Sequence, residues 1–223
     1  MQSTSTIWQT ENQQKPQEEQ DDIGRKFVAT FDGEVYEIYL ALESIPNKWW
    51  LTLWEMYQTS LNIEGAIQEQ RVFTLQSFFE AMCDHDYKKW LVLQNGHPMG
   101  LMLGTSNIEK MRINGINADA LRMRFPEAAA RTRLFYLMVI YFSPELRSLG
   151  FFRWFASLVA PSIATFFDVY ISDVCDTRNF IMDLNAEAFG ELGERLGPKQ
   201  IFATQSYYGF IREGFETAGA GTR

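Results

Sequence analysis

Phe135-Tyr136-Leu137-Met138-Val139-Ile140-Tyr141-Phe142-Ser143-Pro144-Glu145-Leu146-Arg147-Ser148-Leu149-Gly150-Phe151-Phe152 joins an apolar run to a Pro-x-x-Arg-x-x-Gly turn and then to a second apolar pattern. The first run, Leu134 to Phe142, is short, rich in aromatic and β-branched residues and bounded by Ser-Pro, which predicts a buried strand. Beyond the turn, Leu146, Leu149, Phe152, Phe155/Ala156 and Val159 recur at three-to-four-residue spacing. That spacing predicts a helix from about Glu145 to Ala160, limited by Pro161. A strand that feeds a helix leaves the first-turn N–H groups without internal partners, at the positive end of the helix dipole. Such an end can hold a phosphate. Arg147 adds a fixed charge there, and Gly150 has no side chain to keep a ligand from the backbone. Ser143 as an N-cap and Pro144 as the first helical residue describe an ordinary helix start equally well. The residues alone leave both readings open.

Downstream, the pattern predicts a strand at about Phe166 to Val174, a helix from about Asn179 to Leu196, a Gly197-Pro198 break and a last strand near Gln200 to Tyr208. A strand–helix–strand crossover makes the two flanking strands parallel. Upstream, strand-like Phe27 to Phe31 and Glu34 to Leu42 flank Asp32-Gly33, a two-residue hairpin signal. Pro46 opens a helix with Trp50, Leu53, Trp54, Tyr57 and Leu61 on one face, and Thr74 or Ser77 caps another through Cys83. Trp90 to Gln94 and Met99 to Thr105 read as strands joined by Asn95-Gly96-His97-Pro98, with Pro98 kept out of the ladder. Ile108 to Arg133 reads as an insertion with short helices at Ala118 to Arg124 and Pro126 to Thr132, a candidate lid or substrate-side element.

The chain has 223 residues, 46% of them hydrophobic, enough for one full core. We expect a disordered tail over 1–22, polar apart from Trp8, and one domain over 23–223. A net charge of -8 with no long Lys/Arg block argues against nucleic acid. Two cysteines, Cys83 and Cys175, are too few for a disulfide framework or a Cys-based metal site, and His85 and His97 stand in no metal-ligand spacing. No nucleophile-elbow or Cys–His pattern occurs. No signal peptide and no apolar run long enough to span a bilayer is present, so a cytoplasmic protein is the expectation. Eighteen Phe, nine Tyr and six Trp make up 15% of the chain; most suit the core, and so high a content also favours a hydrophobic substrate or a partner-binding face. An acidic, aromatic-rich domain of this kind could also form a homodimer through an exposed strand or helix.

Pro144-Glu145-Leu146-Arg147-Ser148-Leu149-Gly150 resembles the pyrophosphate-binding segment of the GNAT acyltransferase superfamily, Pro-x-x-Arg/Gln-Gly-x-Gly-x-Gly/Ala after an apolar strand. Ser148 stands at a usual Gly position and Phe152 at a usual Gly or Ala. The order of elements over roughly residues 34 to 211 is similar too. The resemblance implies an α+β fold, a mixed central sheet with splayed parallel strands flanked by helices. It implies an N-acyltransferase that takes an acyl group from acyl-CoA or an acyl carrier thioester and gives it to an amine. The N-acyl amino acid and acyl-homoserine lactone synthase-like branch shares this architecture and suits the aromatic excess. Carried over, pantetheine contacts fall on the backbone of Ile140, Tyr141 and Phe142. Pyrophosphate contacts fall on the backbone of Arg147, Ser148, Leu149, Gly150, Phe151 and Phe152, with Asn179 beside the cofactor arm or capping its helix. No Glu stands in the strand Leu134 to Phe142, so Asp173 is the candidate general base. Asp168 is its alternative on the same strand. The Tyr that relatives use as an acid has no counterpart, with Phe189 late in that helix. These departures motivate a second reading, a non-catalytic binding or assembly module on the same fold.

Overall fold

A computed structural model describes residues 17–60, 73–111 and 117–172. The chain has an α+β fold built on a mixed seven-stranded sheet with its strands in sequence order: β1 (Gln17–Gln20), β2 (Arg25–Phe31), β3 (Glu34–Leu42), β4 (Tyr87–Gln94), β5 (His97–Thr105), β6 (Leu134–Phe142) and β7 (Val169–Ser172). The first five pairings are antiparallel and β6–β7 is parallel. Helices α1 (Trp50–Ser60) and α2 (Leu75–Cys83) lie within the described part, as do α3 (Ala118–Arg124), α4 (Pro126–Ala130) and α5 (Leu149–Phe166).

Both hairpin signals act as the sequence predicts. Asp32 and Gly33 have φ of 51° and 82°, and Asn95 and Gly96 have 51° and 76°, the left-handed pair that a tight two-residue turn requires. Pro98, expected in the turn, instead lies inside β5 opposite Leu93. It is tolerated because the β6 ladder reaches only to Gly100, so no bond to β6 is lost there.

Alternation along the strands divides the core into layers. Trp90, Met102, Phe135, Leu137 and Phe142 pack against Phe151, Phe155 and Val159 of α5 on one face. On the other, Tyr39, Leu91, Leu101 and Tyr141 pack against Leu53 and Tyr57 of α1 and Phe78 and Met82 of α2. Of the two caps the sequence offers, Thr74 and Ser77, Thr74 is the N-cap, and the two exchange side chain-to-backbone bonds in a capping box. Tyr141 on β6 donates its hydroxyl to Leu53 O at 2.8 Å, tying α1 to that strand. A smaller cluster of Leu121, Ala128, Leu134 and Ile171 seats α3 and α4 over the start of β6.

Strands β2, β4 and β5 each start two or three residues earlier than the sequence predicts and α4 ends at Ala130 rather than Thr132, and larger differences occur elsewhere. The tail was expected to run to Asp22, yet Gln17–Gln20 pairs with β2. Asp21 fixes it: its carboxylate accepts from the N–H groups of Ile23 and Gly24 and from Tyr39 Oη, and it lies 3.4 Å from Lys26 Nζ. Residues 1–16, with Trp8, lie outside the described residues, as do Leu61, Asp173, Cys175, Asn179, Phe189 and the last helix and strand. The helix was expected over Glu145 to Ala160, yet α5 starts at Leu149 and runs through Pro161 to Phe166. Burial of Val159, Ala160 and Ile163 outweighs the backbone bond that Pro161 removes. In consequence β7 starts at Val169 rather than Phe166.

Lys89 is fully buried, and its ammonium donates to Glu43 O and Asp84 O at 2.6 Å each. It thereby ties the connection after β3 to the one after α2. Burial pushes its pKa down to about 8, with the nearby Asp84 charge opposing the shift. Because the folded value lies below the ordinary one, the folded protein sheds this proton first, and stability rises with pH between about 8 and 10. Above 10, tyrosines held protonated by burial, Tyr39 and Tyr141, act in the opposite direction. Chemical denaturation at pH 7.5 and pH 9.5 should show the wild type gaining on the order of 1–2 kcal/mol relative to Lys89→Met. Parallel pH profiles for the two proteins would contradict this.

Candidate functional site

The distinctive feature of β6 is its pairing on either side of Met138. Leu103 pairs with Val139 and Gly104 with Leu137, leaving Met138 as the extra residue of a β-bulge. The bulge reverses facing: Phe135 and Leu137 pack on the α5 side before it, and Phe142 does so after it, with Tyr141 toward α1. A bulge bends its strand and sharpens its twist. The parallel ladder to β7 covers Leu134–Leu137, ending where the bulge begins and where the described part of β7 also ends. Met138, Val139 and Ile140 are only half-buried although β6 is an inner strand. The bulge thus marks a bend in β6 at the end of its described pairing with β7.

A second bulge holds the far end of the strand. Val92 pairs with Gly100 and Leu93 with Pro98, so Met99 is the extra residue of β5. Its carbonyl accepts from Ser143 N at 2.8 Å, anchoring the exit of β6. The hydroxyl of Ser143 is buried and has no hydrogen-bond partner among the described residues.

The turn itself is not the simple helix start that Ser143-Pro144 suggests. Pro144–Leu146 forms a 3-10 turn, and the chain reopens before Ser148 caps α5, its Oγ accepting from Phe151 N at 3.1 Å. Arg147 donates Nε to Phe142 O at 3.0 Å, fixing the guanidinium to the end of β6. Several of the backbone donors expected to meet a pyrophosphate are already engaged. Arg147 N donates to Pro144 O, Ser148 N to Leu146 O and Phe152 N to Ser148 O, at 3.3, 2.8 and 3.1 Å. Leu149 and Gly150 head α5, where the first-turn N–H groups have no acceptor within the helix. Gly150 is exposed, and a Cβ there would meet only Phe31 Cζ, at 3.6 Å. Protein packing does not require a glycine at this point.

Phe151 and Phe152 point into the core, where both rings meet Phe142. The bulk of Phe152 is therefore turned away from the turn. Ile140, Tyr141 and Phe142 lie on β6 beyond the bulge, but Phe142 O is taken by Arg147. Asp168 is set apart from this place, since it precedes β7 and binds Arg133 Nε at 2.7 Å. Its carboxylate serves the connection between α5 and β7. Among the described residues no group of three or more metal-capable side chains occurs, and no helix is long and apolar enough to cross a membrane.

The bulge at Met138 is the feature that sequence reading misses, because a strand apolar on both faces carries no alternation for a register change to interrupt. The capping role of Ser148 was legible as a residue type, but Ser143 is an equally good cap by type. Only the 3-10 turn between them decides.

No family model matches the chain, and no curated protein does. Among solved structures it is similar to an aminoglycoside 6'-N-acetyltransferase from Acinetobacter haemolyticus, at 12% identity over 78% of this chain and 98% of that one, with a TM-score of 0.44. A possible acetyltransferase from Clostridium difficile 630 is also 12% identical, over 80% and 99% of the two chains, with a TM-score of 0.45. A ribosomal-protein-alanine N-acetyltransferase from Brucella melitensis biovar Abortus 2308 is 10% identical, over 78% and 99%, with a TM-score of 0.41. Chemistry has to come from this chain's own residues.

Proposed function

We propose that this chain is an N-acyltransferase that takes its acyl group from a thioester, acyl-CoA or an acyl carrier, and passes it to an amine. The observation that carries the reading is the bulge at Met138. It sits at the end of the described parallel ladder and bends half-buried β6 backbone, on the strand that leads into α5, whose first-turn N–H groups have no acceptor within the helix. A pantetheine arm is an extended chain of amides, and a strand edge is the natural surface for pairing with it. The N–H groups of Leu149 and Gly150, with Arg147 beside them, would hold a phosphate at the end of that arm.

In this reading a backbone N–H of Met138–Phe142 polarises the thioester carbonyl as negative charge develops on its oxygen. The amine nitrogen forms a bond to the carbonyl carbon, the carbon–sulfur bond breaks, and the thiol leaves with a proton. Asp173, the first residue beyond the described part of β7, is our candidate to take the proton from the attacking amine. The N-acyl amino acid and acyl-homoserine lactone synthase-like branch is the narrower form of the proposal, supported by the aromatic-rich layers on both faces of β6.

The internally engaged N–H groups of Arg147, Ser148, Phe151 and Phe152 favour a second reading, in which the fold is kept as a non-catalytic binding module. The two separate in a thiol-release assay with acetyl-, medium- and long-chain acyl-CoA against a panel of primary amines. Amine-dependent thiol release is the expected result. A stable complex with a protein partner and no release with any donor–amine pair would favour the module instead.

A further inference from the structure

The start of α5 has few donors left to give a ligand. A helix opens with four N–H groups that no residue of the helix accepts, here those of Ser148, Leu149, Gly150 and Phe151. Ser148 N donates to Leu146 O at 2.8 Å and Phe151 N to Ser148 Oγ at 3.1 Å, while Phe152 N begins the helical ladder on Ser148 O. Leu149 and Gly150 carry the other two. A pair of N–H groups matches the pair of non-bridging oxygens on a single phosphodiester, whereas a pyrophosphate brings a second such pair. Ser148 Oγ holds the donor, Phe151 N, that the second phosphate needs.

Charge on the turn agrees with this count. Between Ser143 and Ser148 stand one cation, Arg147, and one carboxylate, Glu145. They are close enough for Arg147 to help lower the Glu145 pKa, behind the larger effects of Glu145's own N–H and of the Ser143 hydroxyl. The turn thus has no net charge with which to offset the further anionic groups of a nucleotide-bearing donor.

A second group on the turn points to a ligand. Ser143 is 6% exposed, and its hydroxyl forms no hydrogen bond with Glu145 or any other described residue. A buried hydroxyl left this way costs stability until a polar group takes it. It stands at the exit of β6, between the Met138–Phe142 backbone and the cap of α5.

We propose that Ser148 determines donor specificity: by capping Phe151 it makes the start of α5 a one-phosphate site, which prefers an acyl-pantetheine ending in a single phosphate to the pyrophosphate of acyl-CoA. The inference rests on the thioester-dependent reading above. Ser143 Oγ completes the site by donating to the donor where its arm leaves β6. The phosphate belongs to a carrier protein's phosphopantetheine or to the free arm.

Isothermal titration calorimetry of the full chain tests this with four donors that share one acyl chain: S-acyl-pantetheine, S-acyl-phosphopantetheine, acyl-CoA and an acyl-loaded carrier protein. Acyl-phosphopantetheine should bind at least about tenfold more tightly than both the phosphate-free arm and acyl-CoA. Ser148→Gly, which a helix cap tolerates at little cost, releases Phe151 N. It should raise acyl-CoA affinity about tenfold while moving that of acyl-phosphopantetheine less than about threefold. Ser143→Ala should weaken acyl-phosphopantetheine about fivefold without lowering the melting temperature, since it removes a buried unpaired hydroxyl. Tighter binding of the loaded carrier than of the free arm assigns the phosphate to a carrier protein, and equal binding assigns it to the free arm. Acyl-CoA bound as tightly as acyl-phosphopantetheine by the unaltered chain would overturn the inference and leave the acyltransferase reading standing. So would a Ser148→Gly variant that shifts both donors alike. Binding of none of the four would overturn both.

Discussion

Gly104→Ala should lower stability by about 2–3 kcal/mol, a fall in melting temperature of roughly 5–10 °C for a chain of this size. A Cβ at Gly104 would lie 2.1 Å from Phe135 Cζ and 2.6 Å from Cε2. Phe135 has nowhere to retreat: it is fully buried, stacked on Phe167 at 4.3 Å between centroids and set edge-on against Trp90 at 5.6 Å. Gly104 is therefore the notch through which an aromatic side chain of β6 crosses β5. It lies next to the register change at Met138, so the same substitution should disturb the bulge. Combining it with Phe135→Leu should recover part of the loss, because the smaller side chain vacates the space the new methyl needs. A differential scanning calorimetry trace for Gly104→Ala that overlays the wild type would show that the close approach of β5 and β6 is not as described.

Gly150→Trp should abolish measurable thioester binding while leaving the fold intact. The position is exposed, its backbone is helical, and only Phe31 lies near a new Cβ, at ordinary contact distance. An indole there would cover the N–H groups of the first turn of α5. Replacing glycine in a helix is, if anything, stabilising by up to about 1 kcal/mol. An unchanged melt together with a loss of affinity of about a hundredfold or more is therefore the expected pair of observations. Arg147→Glu should weaken binding as well. It is the less clean variant, because it also removes the bond from Nε to Phe142 O. Wild-type affinity in Gly150→Trp would mean that the ligand does not approach α5 at its start.

How much of this was legible in the sequence differs from element to element. Asp32-Gly33 and Asn95-Gly96 announced their hairpins because a two-residue turn makes a local demand on φ that few residues meet. Thr74 announced α2 for a similarly local reason. The strand Leu134 to Phe142 and the helix after it were visible as runs of apolar residues, but the start of that helix was not. Ser143 and Ser148 are both competent caps, and the choice depends on the 3-10 turn and on the anchoring of Ser143 N by the bulged Met99. Pro161 looked like a terminus because its local cost is real, whereas the burial that offsets it is tertiary. Asp21 likewise holds β1 through Tyr39, eighteen residues away, which no local pattern encodes. At the candidate site the residues Arg147 and Gly150 were readable. The sharing of their neighbours' N–H groups between ligand and protein was not.

Isothermal titration calorimetry of the unaltered full chain with acetyl-, medium- and long-chain acyl-CoA, and with an acyl-loaded carrier protein, bears most directly on thioester recognition at the β6–α5 turn. Saturable binding of at least one of these donors is the result expected, removed by Gly150→Trp. Absence of binding with every thioester, from a protein that melts cooperatively in the same buffer, would contradict it.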